Sequence, residues 1–598
     1  MADEQQELRR INWNEVFAFT HIFKSFRMAI HPSKMLLSLA AIVVVYIGGH
    51  MLDGVWKVGG QRVMPNEIAA YATARQGEFQ AAKESWVKDR PIRAADLLAQ
   101  ATNEAHFLAA YTRKLPPGRL ATAFGEKLSA ANADMTRERP FEVRSAESFR
   151  SKAEDNWRKV VGQAGDEFSG QVKRINRLLT DAERSADDRL RTMTGDERDR
   201  EERQLSKDLA KAAQALTARK KEFADDVLAI KGRGVFASLL DRQNECVSNA
   251  LASVWRWDIT SGLTAYGKPG PQLEPAAGGF LYWMLMAVQG AAWLFSEHVI
   301  YAVLFLVLGL ASWALFGGAV HRIAALHAAR EEKISVSQAL RFSLGKFFSF
   351  FTAPLLPLVI ILAAGIVLFL GGLLGNLWGF GAILVGLLFF VAVLLGLAVA
   401  FLVIGLAAGC GLMYPTIAVE GSDSFDAISR SVSYVFARPW RSILYGGVAL
   451  FHGAVCYLFV RLFAFIALAS AHMFVNWGIF TGGRKLADGA TRLDVLWTAP
   501  TFESLHQWNW AAMSFAEQVG AVLVAFWVYL VIGAVAAFLL SYLASSTTVI
   551  YYLLRRKVDA TDLDDVYVEE GPAEPLPAEP APAAPAAPAE KKGGGKPA

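Results

Sequence analysis

His321, His327 and Glu331 are the residues best spaced for chemistry, since 327 and 331 are four apart and 321 lies nearly two turns earlier on the same helix face. Imidazole and carboxylate in that pattern can ligate a transition metal. The 321–350 segment is also rich in Arg and Lys, so a basic loop with solvated histidines is expected, with no metal and no cofactor. Arg461 is the second candidate, a permanent charge inside an apolar run with His452 nine residues before it. A charge at membrane depth is costly and marks a functional site. The competing expectation is that Arg461 snorkels at the outer boundary, because 19 residues separate it from Ser442, where its run begins. Glu297 and Glu517, near the same boundary, are its candidate partners. The sequence has no P-loop, no G-x-S-x-G, no H-E-x-x-H, no C-x-x-C and no dinucleotide-binding glycine motif after a strand. An enzyme is therefore not expected.

The elements that must position these groups follow from composition. The 598 residues are 53% hydrophobic and 19% charged, against about a quarter charged in soluble domains. Between Lys346 and Glu420 lie 73 residues without a charge, whereas residues 54–277 hold 37 basic and 32 acidic side chains. A membrane protein with a large aqueous insert fits this distribution and a single soluble globule does not. The net charge of +4 is too balanced for a nucleic-acid binder, which must neutralise phosphates. Three cysteines, two of them in apolar runs, build no disulfide framework.

A span needs roughly 20 apolar residues. Six stretches qualify: 35–51, 299–320, 351–370, 381–409, a run from 442 to about 480, and 519–554. Lys and Arg gather before the first span, in 321–350, in 411–441 and after the last. The positive-inside rule then places both termini in the cytoplasm of a bacterial inner membrane and the insert outside. Residues 278–296 are edged by Tyr282, Trp283 and Trp293 and read as an interfacial helix rather than a crossing. The organisation expected is an amphipathic segment over 1–34, a signal anchor over 35–53, the insert over 54–277, a membrane domain over 278–554 and a tail over 555–598. That tail is acidic, then Pro/Ala-rich and disordered.

Within the insert, Phe149, Ala153, Trp157, Val160, Ala164, Phe168, Val172 and Ile175 recur every three or four residues, which predicts a helix of about 45 residues with one apolar stripe. Gly195 breaks it, and a return helix ends near Lys231, so 149–231 is expected to be a coiled-coil-like hairpin. Helices over 66–88, 91–114 and 118–135 are expected upstream, the first two divided by Pro91. The fold class expected is all-α, a polytopic membrane bundle carrying an elongated helical domain.

Two loops share the pattern A-[L/I]-x-x-S: Ala339 with Ser343, and Ala427 with Ser431. Ala and Ser four apart let one helix lie close against another, and Arg430, Arg438 and Arg441 can face acidic lipid headgroups. With Glu420-Gly421-Ser422 before it, the second copy, running to Trp440, resembles a motif of uncharacterised polytopic bacterial membrane families. These include the membrane domain fused to some glycerophosphodiester phosphodiesterases. The resemblance covers roughly 150 residues around spans two to five, lacks the catalytic domain, and implies shared architecture rather than activity. The function expected is that of a scaffold, anchor or assembly component whose partners are the lipid bilayer and a protein or a second copy. The alternative is a transporter or channel-like subunit for an apolar or lipid substrate.

Overall fold

The computed structural model describes residues 18–58, 62–102, 146–266, 274, 277–377, 379–479, 493, 496–506 and 515–567. The helix expected over 118–135 and the Pro/Ala run lie outside these residues. The described residues are all-helical, with a single isolated bridge between Val63 and Arg233. Six helices are long and apolar enough to cross a membrane: α2 (Pro32–Val58), α9 (Val299–Arg330), α12 (Leu355–Leu373), α13 (Gly381–Glu420), α15 (Pro439–Ile479) and α16 (Phe515–Val558). Backbone groups in hydrocarbon have no water to bond, and a helix satisfies them internally.

The spans are longer at one end than hydropathy alone indicates. The first begins at Pro32, where proline's missing N–H and fixed φ suit a first helical turn, and this draws Lys34 into the span. The second runs through a π-turn at Trp313–Gly317 to Arg330, so His321 and Arg322 are buried helix residues rather than parts of a solvated loop. The cause is coverage by other segments. Residues 559–567 fold back under the bundle, Tyr567 N–H donates to Val419 O at 2.8 Å, and Arg322 donates to Ala418 O and Tyr567 O, both at 2.8 Å. A helix α1 (Lys24–Ala29) and the turn before it also pack here, with Ile22 and Met28 in the same core as Ile417 and Tyr551. Phe26 meets Phe459 and Phe538 edge-on, so this segment, expected to lie on the membrane surface, packs on spans five and six.

The insert is helical throughout its described part: α3 (Glu67–Thr73), α4 (Gln76–Thr102), α5 (Ala146–Leu190), α6 (Asp196–Lys231) and α7 (Val235–Trp255), returning through α8 (Phe280–Glu297). The apolar stripe of α5 is buried as its spacing predicts, and Phe168 stacks on Phe223 of α6 with centroids 3.9 Å apart. Pro91 does not divide two helices. It lies inside α4, where Arg90 stacks 3.6 Å from the Trp86 ring centroid and Trp86 Nε1 donates to Ala229 O. These contacts hold the turn whose hydrogen bond proline removes. α4 lies along α5, so the hairpin is backed by a third helix.

Candidate functional site

The two repeat motifs form helices α10 (Val336–Gly345) and α14 (Ser424–Ala437), each folding back on the span before it. Each has a side-chain N-cap, Ser335 in a capping box and Asp423 bonding to Asp426 N. Ala339, Ser343, Ala427 and Ser431 are all fully buried. Ser343 does the more specific work. A π-turn breaks the regular ladder of span two, and the Ser343 hydroxyl proton is shared between Ala314 O at 2.8 Å and Leu315 O at 2.7 Å. Gly318 permits that approach, since a Cβ there would lie 2.5 Å from Ser343 Oγ. Ser431 lies 3.3 Å from Thr416 Oγ1 of span four. Ser343→Ala is expected to cost about 1–2 kcal/mol and lower the melting midpoint in detergent, while exposed Ser337→Ala leaves it unchanged.

A basic cluster sits beside this elbow. Lys34 is fully buried, and the only bond its ammonium makes among the described residues is to Ser545 Oγ of span six at 2.9 Å. Ser38, one turn on, is also fully buried with an unpartnered hydroxyl. The His31 and His327 rings stand 6.0 Å apart edge-on, each with an unpartnered buried Nδ1. Burial, then the Lys34 and Lys333 charges, hold the His31 imidazole below its ordinary pKa. His321 bonds instead to Gly317 O at 2.7 Å, and no three His, Cys, Asp or Glu among the described residues are grouped to hold a metal. By sequence Lys34 belongs with the basic residues that precede the first span; the structure places it inside that span. Lys34→Met is expected to raise the melting midpoint, since it removes a lone buried charge at a gain of about 1–3 kcal/mol. Ser545 keeps its own bond to Ser541 O. A fall would reveal a counter-ion outside the described residues.

At the other end of the bundle two buried carboxylates fasten the insert. Asp53, in the last turns of span one, accepts from Phe236 N at 2.9 Å and Ala237 N at 3.1 Å, capping α7 from another helix, and from Tyr301 Oη at 3.0 Å. Gly234 makes room, because a Cβ there would overlap the Asp53 carboxylate. Glu67 of α3 accepts from Met64 N at 2.8 Å and Trp293 Nε1 at 3.2 Å, and pairs with Lys83 at 3.2 Å. Lys83 also pairs with Glu297 at 2.9 Å. No protein-family model matches this chain, and no curated protein or solved structure is similar to it. The assignment therefore rests on the geometry alone.

The remaining sequence candidates separate. Arg461 does not meet Glu297, which belongs to Lys83. Its guanidinium donates to Tyr457 Oη and to the carbonyls of Phe502 and Glu503, all at 3.0 Å. Glu517 lies in α16, and its side chain falls outside those described. Arg430 is not free for lipid. It pairs with Glu420 at 2.6 Å and Asp426 at 2.9 Å, while Arg438 and Arg441 remain exposed. Sequence alone does not mark Asp53, Glu67 or Lys34 as site residues. The signal available was that Asp53 and Lys34 flank an apolar run, which ordinarily marks only its ends.

Proposed function

We propose that this chain is a non-enzymatic membrane scaffold or assembly component of a bacterial inner membrane. Both termini lie in the cytoplasm, and the insert projects outside, where α5 and α6 meet a protein partner or a second copy. The observation that carries this reading is the fastening of the insert. Asp53 and Glu67, both fully buried, bind the turns that enter α7 and α3 to the first two spans and α8, so load or binding at the α5–α6 hairpin is passed to the bundle. An insert on a passive tether has no use for buried carboxylates there, since their desolvation is costly unless every bond is made.

A photo-crosslinking residue at exposed Arg177 or Arg198 tests the proposal in intact cells. A discrete adduct from these positions, unchanged in stoichiometry across preparations, is the expected result. The transport reading has its own support in an apolar pocket between spans one, two and six, walled by Ala41, Val45, Tyr46, Gly309 and Trp313. Absence of any adduct, together with lipid movement in proteoliposomes that Trp313→Ala abolishes, would replace the scaffold by a lipid transporter.

A further inference from the structure

Beneath the basic cluster a small cleft of about 60 Å³ opens to solvent between α1, the end of span two and the end of span six. Its walls carry two cations, Lys24 and Arg27, with the imidazoles of His21 from the N-terminal segment and His327 from span two beside them. Among the described residues the one carboxylate lining it is Glu331, which pairs loosely with Arg27 at 3.7 Å, both side chains at least three-quarters exposed. Lys24 has no ion-pair partner among the described residues. The field is positive beyond the lining as well. Burial, then Lys24 and Arg556, hold the His21 imidazole below its ordinary pKa, and no acid opposes them. His327 also lines the cleft, and its Nδ1 is buried with nothing bonded to it. The rest of the wall is apolar, including Met28, Val549 and Leu553.

Two neighbouring cations, Lys24 without an ion pair among the described residues and Arg27 held only loosely by Glu331, suit a phosphate, and an apolar wall beside them suits a phosphate attached to hydrocarbon. The level in the bundle agrees. The cleft is bounded by the last turn of span two, ending at Arg330, and by the last turns of span six, ending at Val558. That is where a bilayer's headgroups lie against spans of this kind. We propose that this cleft is a binding site for the phosphate of an acidic phospholipid, held by Lys24, Arg27 and His327, with the first carbons of the lipid along Met28 and Leu553. The site differs from general attraction of basic residues to a charged surface because it is concave and requires particular side chains. It also gives the N-terminal segment a role, since α1 supplies most of the cations and is itself packed on span six.

The test uses the full-length protein in neutral detergent, with binding read as the shift in melting midpoint and as lipid phosphorus retained after gel filtration. Phosphatidylglycerol is compared with phosphatidylcholine and with inorganic phosphate at equal ionic strength. Phosphatidylglycerol is expected to stabilise and remain bound, and phosphatidylcholine is not. The Lys24→Gln/Arg27→Gln pair is expected to weaken phosphatidylglycerol binding by roughly tenfold or more. Arg438→Gln/Arg441→Gln, which removes two exposed cations outside the cleft, is expected to leave it unchanged. Lys24 and Arg27 are exposed enough for their substitution to leave the fold intact, and an unshifted gel-filtration profile verifies that. His327→Gln, which keeps a hydrogen-bonding group, should weaken binding less than the double variant. An equal loss in both double variants would mean diffuse electrostatics and overturn the site, as would no loss in either. Stabilisation by inorganic phosphate equal to that by phosphatidylglycerol would assign the cleft to a soluble phosphate compound and overturn the lipid.

Discussion

Asp53→Ala is expected to lower the melting midpoint of the detergent-solubilised protein by roughly 6–12 °C and to open the α7 end of the insert to protease. The carboxylate makes three bonds while 1% exposed, to two backbone N–H groups at the start of α7 and to the Tyr301 hydroxyl. Loss of an N-cap costs about 0.5–2 kcal/mol. Here the orphaned N–H of Phe236 is buried as well, so desolvation of an unpaired donor adds to that. A total near 3 kcal/mol follows, and about 2–4 °C per kcal/mol is the conversion for a unit of this size. Tyr301 is spared, because its hydroxyl can turn to Gly49 O at 3.2 Å. Asp53→Asn should fall between, keeping one acceptor oxygen and placing an amide against the N–H groups. Gly234→Ala should act in the same direction by forcing the carboxylate off the helix end. An Asp53→Ala protein with an unchanged midpoint and unchanged protease pattern would mean that the insert is not fastened there, and the scaffold proposal would lose its support.

The apolar runs and the α5 stripe were legible in the sequence because each is a local periodicity, and local periodicity is what a helix reads. The spans' positions follow from runs such as 381–409, and the buried face of α5 follows from Phe149, Ala153, Val160 and Phe168. What depends on distant segments was not legible. Lys34 is buried because Ser545, 511 residues later, stands against it. Arg322 is buried where the returning tail meets it at Tyr567, and His321 where its ring faces Tyr414 of span four, and no window around residue 321 contains either partner. Pro91 misled for a related reason, since Trp86 and its bond to Ala229 stabilise a turn that proline alone would weaken. Arg461, which the run of 19 residues from Ser442 leads one to expect at a boundary, is a further case. Its partners are carbonyls of 502 and 503, which have no sequence signature, so a carboxylate was sought instead.

Glu67→Gln should reveal how the same junction depends on pH. Burial would push the Glu67 carboxyl upward, but His298, Lys83 and the N–H groups of Met64 and Trp293 together hold it below the ordinary carboxylate range. His298 Nε2 is 3.8 Å away, beyond hydrogen-bond length, so its contribution is that of a nearby charge when protonated. A carboxyl with a lowered folded-state pKa contributes stability that is fully present above its unfolded value of about 4.3 and is lost as pH falls through the folded value. Lys83 supplies the opposite limb. Burial would lower its pKa, yet Glu297 and Glu67 raise it, so its contribution is complete below about 10.4 and fades as pH rises through the folded value. The junction should therefore hold across the whole range between those limits and loosen on the acid side first. Removing one member of a buried pair usually costs about 3–5 kcal/mol because it strands the other. Lys83 keeps Glu297, so about 2 kcal/mol is expected for Glu67→Gln at neutral pH. Titrating the melting midpoint from neutral toward pH 3 checks the assignment. The wild-type protein should lose stability below about pH 4.3, and the variant, already lower at pH 7, should show a shallower acid limb. Identical acid limbs would place the acid sensitivity elsewhere, and an unchanged midpoint at pH 7 would show that Glu67 does not hold the insert to α8.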